Sequence, residues 1–309
     1  MSFPTVITHG DADGVISLSL FLKSLGNAKA RIYFTSTHRL IPTLCKAIES
    51  DEELKNLYIF DLSGSEKVLR LASVFDKVVW IDHHKWSFEK KPENVELKLN
   101  SSSPSASRLI AEYFGIESPL VKIADEIDVN STRSEEAIFL RDLIASIKWK
   151  FSGRLLANKL KNISISLAFS GLEEFEKSHQ VAELLSEYRK WVEEIEESLF
   201  SKVRVFSIDN KKVAVLETFE SIPIHTISNK LLEHEEAPFD LIAVIMHRLN
   251  SKTKNIWTKI ELRTQTDKNI FQIAESLGGG GHIKACAATL KGFMNTEKFV
   301  EFLKENFKT

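Results

Sequence analysis

The sequence predicts an α/β protein: a parallel-sheet N-terminal domain, a smaller α+β C-terminal domain, and a long helix joining them. Three observations carry that prediction. Apolar strand-like pieces alternate with helix-like ones from residue 5 to residue 82. The stretch from Leu172 to Phe200 contains no Gly or Pro and many good helix formers. Fresh β patterns begin beyond residue 200. A chain of 309 residues, 43% of them apolar, can bury a sizeable core and favours about two domains. The boundaries read as 1–171 for the first domain, 172–200 for the connecting helix and 201–309 for the second domain.

Taken in order, "TVIT" at 5 to 8 reads as a strand and Val15 to Leu25 as a helix. "RIYFT" at 31 to 35 is a second strand, with a helix around Leu44 to Ile48. "LYIFD" at 57 to 61 is a third strand, "EKVLRLASVF" at 66 to 75 a helix, and "KVVWID" at 77 to 82 a fourth strand. This βαβαβαβ order predicts a parallel sheet with helices on both faces, whose ligands gather at the carboxyl ends of the strands. After a Ser/Pro-rich turn at 101 to 105 the pattern becomes mostly helical. In the connecting helix, Phe175, Val181, Leu184, Leu185, Tyr188, Trp191, Val192 and Ile195 recur every 3 to 4 residues, which reads as a face packed on the first domain or as a homodimer seam. The second domain then offers "KVRVFSI", "KKVAVLET", "FDLIAVIMHRL" and "NIWTKIELRT" as strands. A helix at 269 to 277, a glycine run and a C-terminal helix from Thr296 complete it.

The formal net charge of −2 gives no global positive field of the kind that binds a long duplex, whereas a small anionic ligand fits well. The basic stretch Lys148, Lys150, Arg154, Lys159 and Lys161 reads first as solvated surface. Cys45 and Cys286 are too few for a disulfide framework or a thiolate zinc site, as a reducing compartment permits. No apolar run approaches the roughly 18 residues of a membrane span, and no secretory leader pattern is read. A cytoplasmic protein without a membrane partner is expected.

Chemistry concentrates on the predicted strand ends. The first strand runs into "THGDADG" with His9, Asp11 and Asp13; the third ends on Asp61; the fourth runs into Asp82, His83 and His84. Parallel strands lie about 4.8 Å apart, so side chains from such tips can converge. His9, Asp11 and Asp13 share parity and project together while the chain stays extended. Oxygen ligands with a few imidazoles and no thiolates suit Mn²⁺ or Mg²⁺. Three clustered aspartates and a fourth from elsewhere repel one another unless compensated, and two divalent ions cancel four carboxylates. A pair of ions about 3.5 to 4 Å apart points to phosphoester hydrolysis. Each residue alone has a blander reading, since an Asp after a strand is usually a turn or helix cap. Three strand ends carrying the same chemistry are poorly explained by capping.

These residues resemble the DHH phosphoesterases. "THGDADG", "IFDLSGSE" and "WIDHHKW" are similar to the first three motifs of that family, and "ADEIDVN" at 124 to 130 to its looser fourth motif. The resemblance implies a hydrolase holding two divalent ions, with Mn²⁺ expected first and Mg²⁺ second. His9 and Asp11 would hold one ion; Asp13, His83 and Asp128 would hold the other; Asp61 would bridge both. His84 would contact substrate phosphate with Asp82 as its support. Asp125 and Asp128 lie three residues apart, and the sequence leaves open which is the ligand.

The far end carries "LGGGGHIKACAATL", residues 277 to 290. Glycines let backbone approach a ligand closely and expose N–H groups to an anion, with His282 adjacent and a helix expected just after it. Beside the other motifs this run resembles the glycine-histidine motif of the DHH-associated C-terminal domain. That resemblance makes Gly279, Gly280, Gly281 and His282 substrate-binding residues. Ala285, Cys286 and Ala287 depart from the family's Ala-Ala-Gly ending. Arg263 in "KIELRTQTD" stands where the family carries a phosphate-gripping arginine, and a guanidinium can chelate phosphate bidentately.

The expected activity is a manganese-dependent phosphodiesterase, a nuclease of short RNA or DNA oligonucleotides or of linear or cyclic dinucleotides, releasing nucleoside monophosphates. The expected substrates are short because the net charge shows no excess for many phosphate contacts and no extra module is read that would track a long strand. The alternatives are a RecJ-like single-strand exonuclease, a phosphatase releasing the 3′ phosphate of adenosine bisphosphate, and a non-catalytic scaffold of the kind found in replication complexes. Domain closure of Arg263 and His282 over the metal residues is the expected way of sequestering substrate.

Overall fold

The computed structural model describes residues 3–129, 131–220, 222, 227, 230, 231, 234–249 and 254–307. It divides into two compact units, Met1–Tyr188 and Arg189–Thr309. The first holds a five-stranded sheet in the order β2-β1-β3-β4-β5, entirely parallel. Its strands are β1 (Thr5–His9), β2 (Arg31–Thr35), β3 (Asn56–Phe60), β4 (Lys77–Asp82) and β5 (Val95–Leu99). The four predicted strands are present. The fifth, "VELKL", is not among the strands expected from the sequence; its strict apolar–polar alternation suits the edge position it occupies.

Both faces of this sheet are covered, which is why its strands read as nearly continuous apolar runs. Ile7, Leu57, Ile59, Val78 and Trp80 face α2 (Leu40–Ser50) and α3 (Glu66–Ala72). Val6, Phe60, Val79 and Ile81 face the opposite side. That side is built from α1 (Ala12–Leu25), α4 (Ala106–Phe114), α5 (Leu120–Asp128), α6 (Glu135–Lys150) and α7 (Gly153–Phe169). Helix α1 is buried along most of its length and touches α4, α5 and α7. It is therefore the rod around which the helical layer assembles. The expected continuous helix from Leu172 is interrupted: a single turn α8 (Glu173–Glu176) precedes α9 (His179–Phe200). The carbonyls of α8 are closed by Lys177 and Ser178 in a terminal turn. Good helix formers do not prevent a break where Leu172 turns inward to the core.

The second unit holds a mixed six-stranded sheet in the order β10-β11-β9-β8-β7-β6, in which only β7 and β8 pair in parallel. The strands are β6 (Arg204–Ile208), β7 (Lys211–Thr218), β8 (Leu241–Leu249), β9 (Ile256–Arg263), β10 (Gly280–His282) and β11 (Ala285–Lys291). Helices α10 (Phe271–Ser276) and α11 (Thr296–Asn306) cover one face over Val213, Val215, Ile245 and Ile260, with Phe299 of α11 packed among them. Leu199, Leu231 and Phe239 cover part of the other. The helix expected after His282 is instead strand β11, because Cys286 and Ala288 alternate inward against β9. The glycine run enters a two-residue hairpin rather than a helix N-terminus. Among the described residues, no helix is long and apolar enough to cross a membrane.

Candidate active site

Strands β1, β3 and β4 are consecutive neighbours in the sheet, so the three acidic endings lie side by side. Past His9 the chain does not stay extended. Asp11 is the N-cap of α1, its Oδ1 accepting from Gly14 N at 3.1 Å, and Asp13 lies in the first helical turn. The shared parity of His9, Asp11 and Asp13 therefore plays no part, and helix geometry sends Asp13 to a different wall. Asp61 follows β3 with φ 54°, the left-handed region, while its N–H donates to Ile81 O at 3.0 Å.

Two groups of ligand atoms result, His9–Asp11–Asp61 and Asp13–His83–Asp128, each within 4.8 Å internally. Asp61 touches both: its Oδ2 is 3.6 Å from His9 Nδ1 and its Oδ1 is 3.7 Å from His83 Nε2. His9 Nδ1 also lies 2.5 Å from Asp11 Oδ2. His83 Nε2 lies 3.8 Å from Asp13 Oδ2 and 3.2 Å from Asp128 Oδ2. The choice between Asp125 and Asp128 has a geometric basis here. Asp125 accepts from Ser105 Oγ at 2.6 Å and pairs with Arg108, whereas Asp128 faces His83. Asn130, which closes the fourth motif, lies outside the described residues.

The charges are crowded. Burial, and then the charges of Asp11, Asp13, Asp128 and Asp82, push the Asp61 carboxyl well above the usual aspartate range. Burial and then Asp13 do the same to Asp128, and burial raises Asp13 despite His83 and the Ser107 contact. Asp11 goes the other way: burial opposes it, but His9 beside it holds the carboxyl below the ordinary range. Both Asp61 oxygens are buried and accept no hydrogen bond from the described residues. His83 Nδ1–H donates to Ser103 O at 3.1 Å, so the Nε2 that faces Asp13, Asp61 and Asp128 needs a proton or a cation between it and them. A buried carboxylate without donors and an imidazole oriented from behind by a backbone carbonyl are what a divalent cation requires. The donor set of oxygens and imidazoles fits Mn²⁺ or Mg²⁺.

His84 and Asp82 form a hydrogen-bonded pair beside Asp61, with His84 Nδ1 3.7 Å from Asp61 Oδ1. His84 Nδ1–H donates to Asp82 Oδ1 at 2.8 Å, and Trp86 Nε1–H donates to Asp82 Oδ2 at 2.8 Å. Burial works to lower the His84 pKa, but the Asp82 carboxylate pushes it up to about 9. In turn burial, which raises Asp82, is outweighed by His84 and the carboxyl lies below its usual range.

Several supporting residues escaped the sequence reading. Asp13 accepts from Ala106 N at 2.6 Å and Ser107 N at 2.9 Å, the first turn of α4. "SPSAS" signalled only a turn, although its serines are the kind of residue that opens a helix beside an acceptor. Lys148 adds positive charge toward Asp11. In the second unit, Arg263, Ala285 and His282 are register partners across β9, β11 and β10, and so project from one face of the sheet. Gly280 shares that face and has open space before it, whereas a side chain at Gly279 or Gly281 would strike the β11 backbone. The glycines thus serve the hairpin at two positions and leave exposed backbone at one.

Residues 205–309 match the DHHA1 domain family. No curated protein matches the chain in sequence. Among solved structures, it is similar to the pGpG-specific phosphodiesterase PggH from Vibrio cholerae, with 17% identity, a TM-score of 0.56, and 98% of this chain and 97% of that one covered. It is similar to the DHH domain of a member of a family of ribosomal proteins, with 16% identity and a TM-score of 0.62 over 98% of this chain and 86% of that one. It is also similar to the exonuclease RecJ bound to manganese, at 14% identity and a TM-score of 0.50, covering 97% and 88% of the two chains.

Proposed function

From a chain that carries a DHHA1 domain over residues 205–309 on the fold of the DHH structures, we propose a divalent-metal-dependent phosphodiesterase that cuts short oligonucleotides or linear or cyclic dinucleotides to nucleoside monophosphates. The observation that carries this reading is Asp61, a buried carboxylate to which no described residue donates a hydrogen bond, set among four further aspartates and three imidazoles. His9, Asp11 and Asp61 would hold one ion, and Asp13, His83, Asp128 and Asp61 the other, with Mn²⁺ preferred. A bound pair supplies Lewis acidity toward a phosphoryl group and a nucleophilic water at neutral pH.

The protein's own residues do the rest. His84, kept protonated at neutral pH by Asp82, uses the ring nitrogen not engaged with Asp82 to donate to a phosphate oxygen and offset charge that grows during attack. Asp82 stays ionised and fixes the ring's orientation. The nearly inaccessible side chains of Asp13, Asp61 and His83 keep bulk water from the carboxylates. The second unit is the substrate-binding domain in this reading, Arg263 chelating phosphate and His282 with the Gly279–Gly281 backbone meeting the nucleotide.

The test compares a linear dinucleotide, a cyclic dinucleotide, a 20-mer and adenosine 3′,5′-bisphosphate at matched concentration with Mn²⁺, with products identified by mass. The linear dinucleotide should be cut fastest, Asp61→Ala should abolish turnover, and Arg263→Ala should raise KM more than it lowers kcat. Equal rates on the 20-mer with a steep salt dependence would favour a RecJ-like single-strand exonuclease, the second reading, which the likeness to RecJ supports. No hydrolysis of any substrate by wild-type protein would leave a non-catalytic scaffold.

A further inference from the structure

We infer that Trp86 is a positioning residue for His84, acting through Asp82, and that Gly64 exists to let it reach that place. The inference rests on the role given to His84 above. Asp82 is fully buried, and each of its oxygens has one side-chain donor: Oδ1 takes His84 Nδ1–H and Oδ2 takes the Trp86 indole N–H, both at 2.8 Å. The His84 backbone N–H also reaches the carboxylate, and the indole is the side-chain donor that holds Oδ2, so that the group presents a fixed lone pair to the imidazole. The Trp86 ring is itself clamped, 5.3 Å from Trp80 and 5.6 Å from Phe88 between ring centres.

Trp80 brings the neighbouring strand end into the same arrangement. Its indole N–H donates to Leu62 O at 2.8 Å, the carbonyl next to the left-handed Asp61. A β-carbon on Gly64 would come within 2.7 Å of the Trp86 ring and 2.9 Å of the Trp80 ring. Only a residue without a side chain lets the loop after Asp61 lie against both indoles. Two strand tips are thereby tied together by a pair of aromatic rings, one ring bonded to each.

The experiment separates the N–H from the ring. Trp86→Phe keeps an aromatic ring against Trp80 and Phe88 and removes the donor. It should lower kcat on a linear dinucleotide about tenfold, the usual effect of losing a hydrogen bond to a charged group. KM and Mn²⁺ affinity should stay near wild type, while the thermal midpoint should fall by a few degrees because a buried carboxylate oxygen loses its donor. Gly64→Ala, which removes no hydrogen-bonding group, should lower kcat in the same direction by displacing the Trp86 ring. A readout independent of turnover is the far-downfield proton signal of His84 Nδ1–H in the metal-free protein, present in wild type and shifted or broadened away in Trp86→Phe. An unchanged signal in the variant overturns the inference even if the protein hydrolyses nothing, and an unchanged kcat in an active enzyme overturns it as well. Loss of the signal in Trp86→Phe with an inactive wild type would sink the phosphodiesterase reading and leave the positioning contact standing.

Discussion

Asp61 is held where an aspartate is least comfortable. Its backbone lies at φ 54°, which costs a non-glycine residue of order 1 kcal/mol, and its carboxylate is buried among like charges. Without cations the folded protein carries that repulsion. Asp61→Asn keeps the shape and tolerates the left-handed backbone, so it should stabilise the metal-free protein by about 1–2 kcal/mol while removing the stabilisation Mn²⁺ gives wild type. Calorimetry with chelator and then with Mn²⁺ reads both effects. A second carboxylate, far from this chemistry, behaves in the opposite way. Burial of Asp51 works to raise its pKa, but Thr5 Oγ1 at 2.7 Å, the amides of Glu53 and Leu54, and then Arg31 pull it below the ordinary 3.8. A folded pKa below the unfolded one means stability fully present above 3.8 and lost as pH falls through the folded value. Asp51→Asn should therefore cost about 1–3 kcal/mol at pH 7, with the difference from wild type shrinking in acid. Denaturant titrations across pH check the sign.

At the level of elements, the carboxylates proposed to hold the ions are placed by how helices begin and end. Asp13 receives the first two amides of α4, so one residue both faces His83 and fixes the helix opposite. Helix α5 brings Asp128 into place through Asp125, which is tied to Ser105 and Arg108 on α4. The Glu126 carboxylate gathers the amides of Arg133 and Ser134 at the other side of α5. Asp125→Asn leaves no charge for Arg108 and should weaken Mn²⁺ binding about tenfold, the usual consequence of loosening a group behind a metal ligand. Isothermal titration of the variant reads it, and a wild-type affinity would show that α5 is held by other contacts. The elements were partly legible beforehand. Strands with long apolar runs and the capped helices announced themselves, while β5 and the strand after His282 did not, because a three- to seven-residue strand gains its identity from the neighbour it pairs with.

For the whole molecule, each compact unit encloses its own apolar core, and the six residues proposed to hold the ions belong to the first. Mn²⁺ at about 100 times its dissociation constant should stabilise the unit it binds by about 2.7 kcal/mol. Scanning calorimetry should then show the transition of the first unit moving up by several degrees and that of the second staying put. Equal movement of both would mean the two unfold as one body or share the ion.

The sequence alone determined the alternation of strand and helix in the first unit, the residue types at three strand ends and the presence of a glycine-histidine run, since each is a local pattern of residue types a few positions apart. It could not decide between Asp125 and Asp128, and could not foresee that Asp13 turns away on a helix or that the Trp86 indole meets Asp82. Those outcomes depend on the order β2-β1-β3-β4-β5 and on which amide or indole meets which carboxylate. Such meetings join residues up to 94 positions apart, and nothing in the spacing of the chain records them.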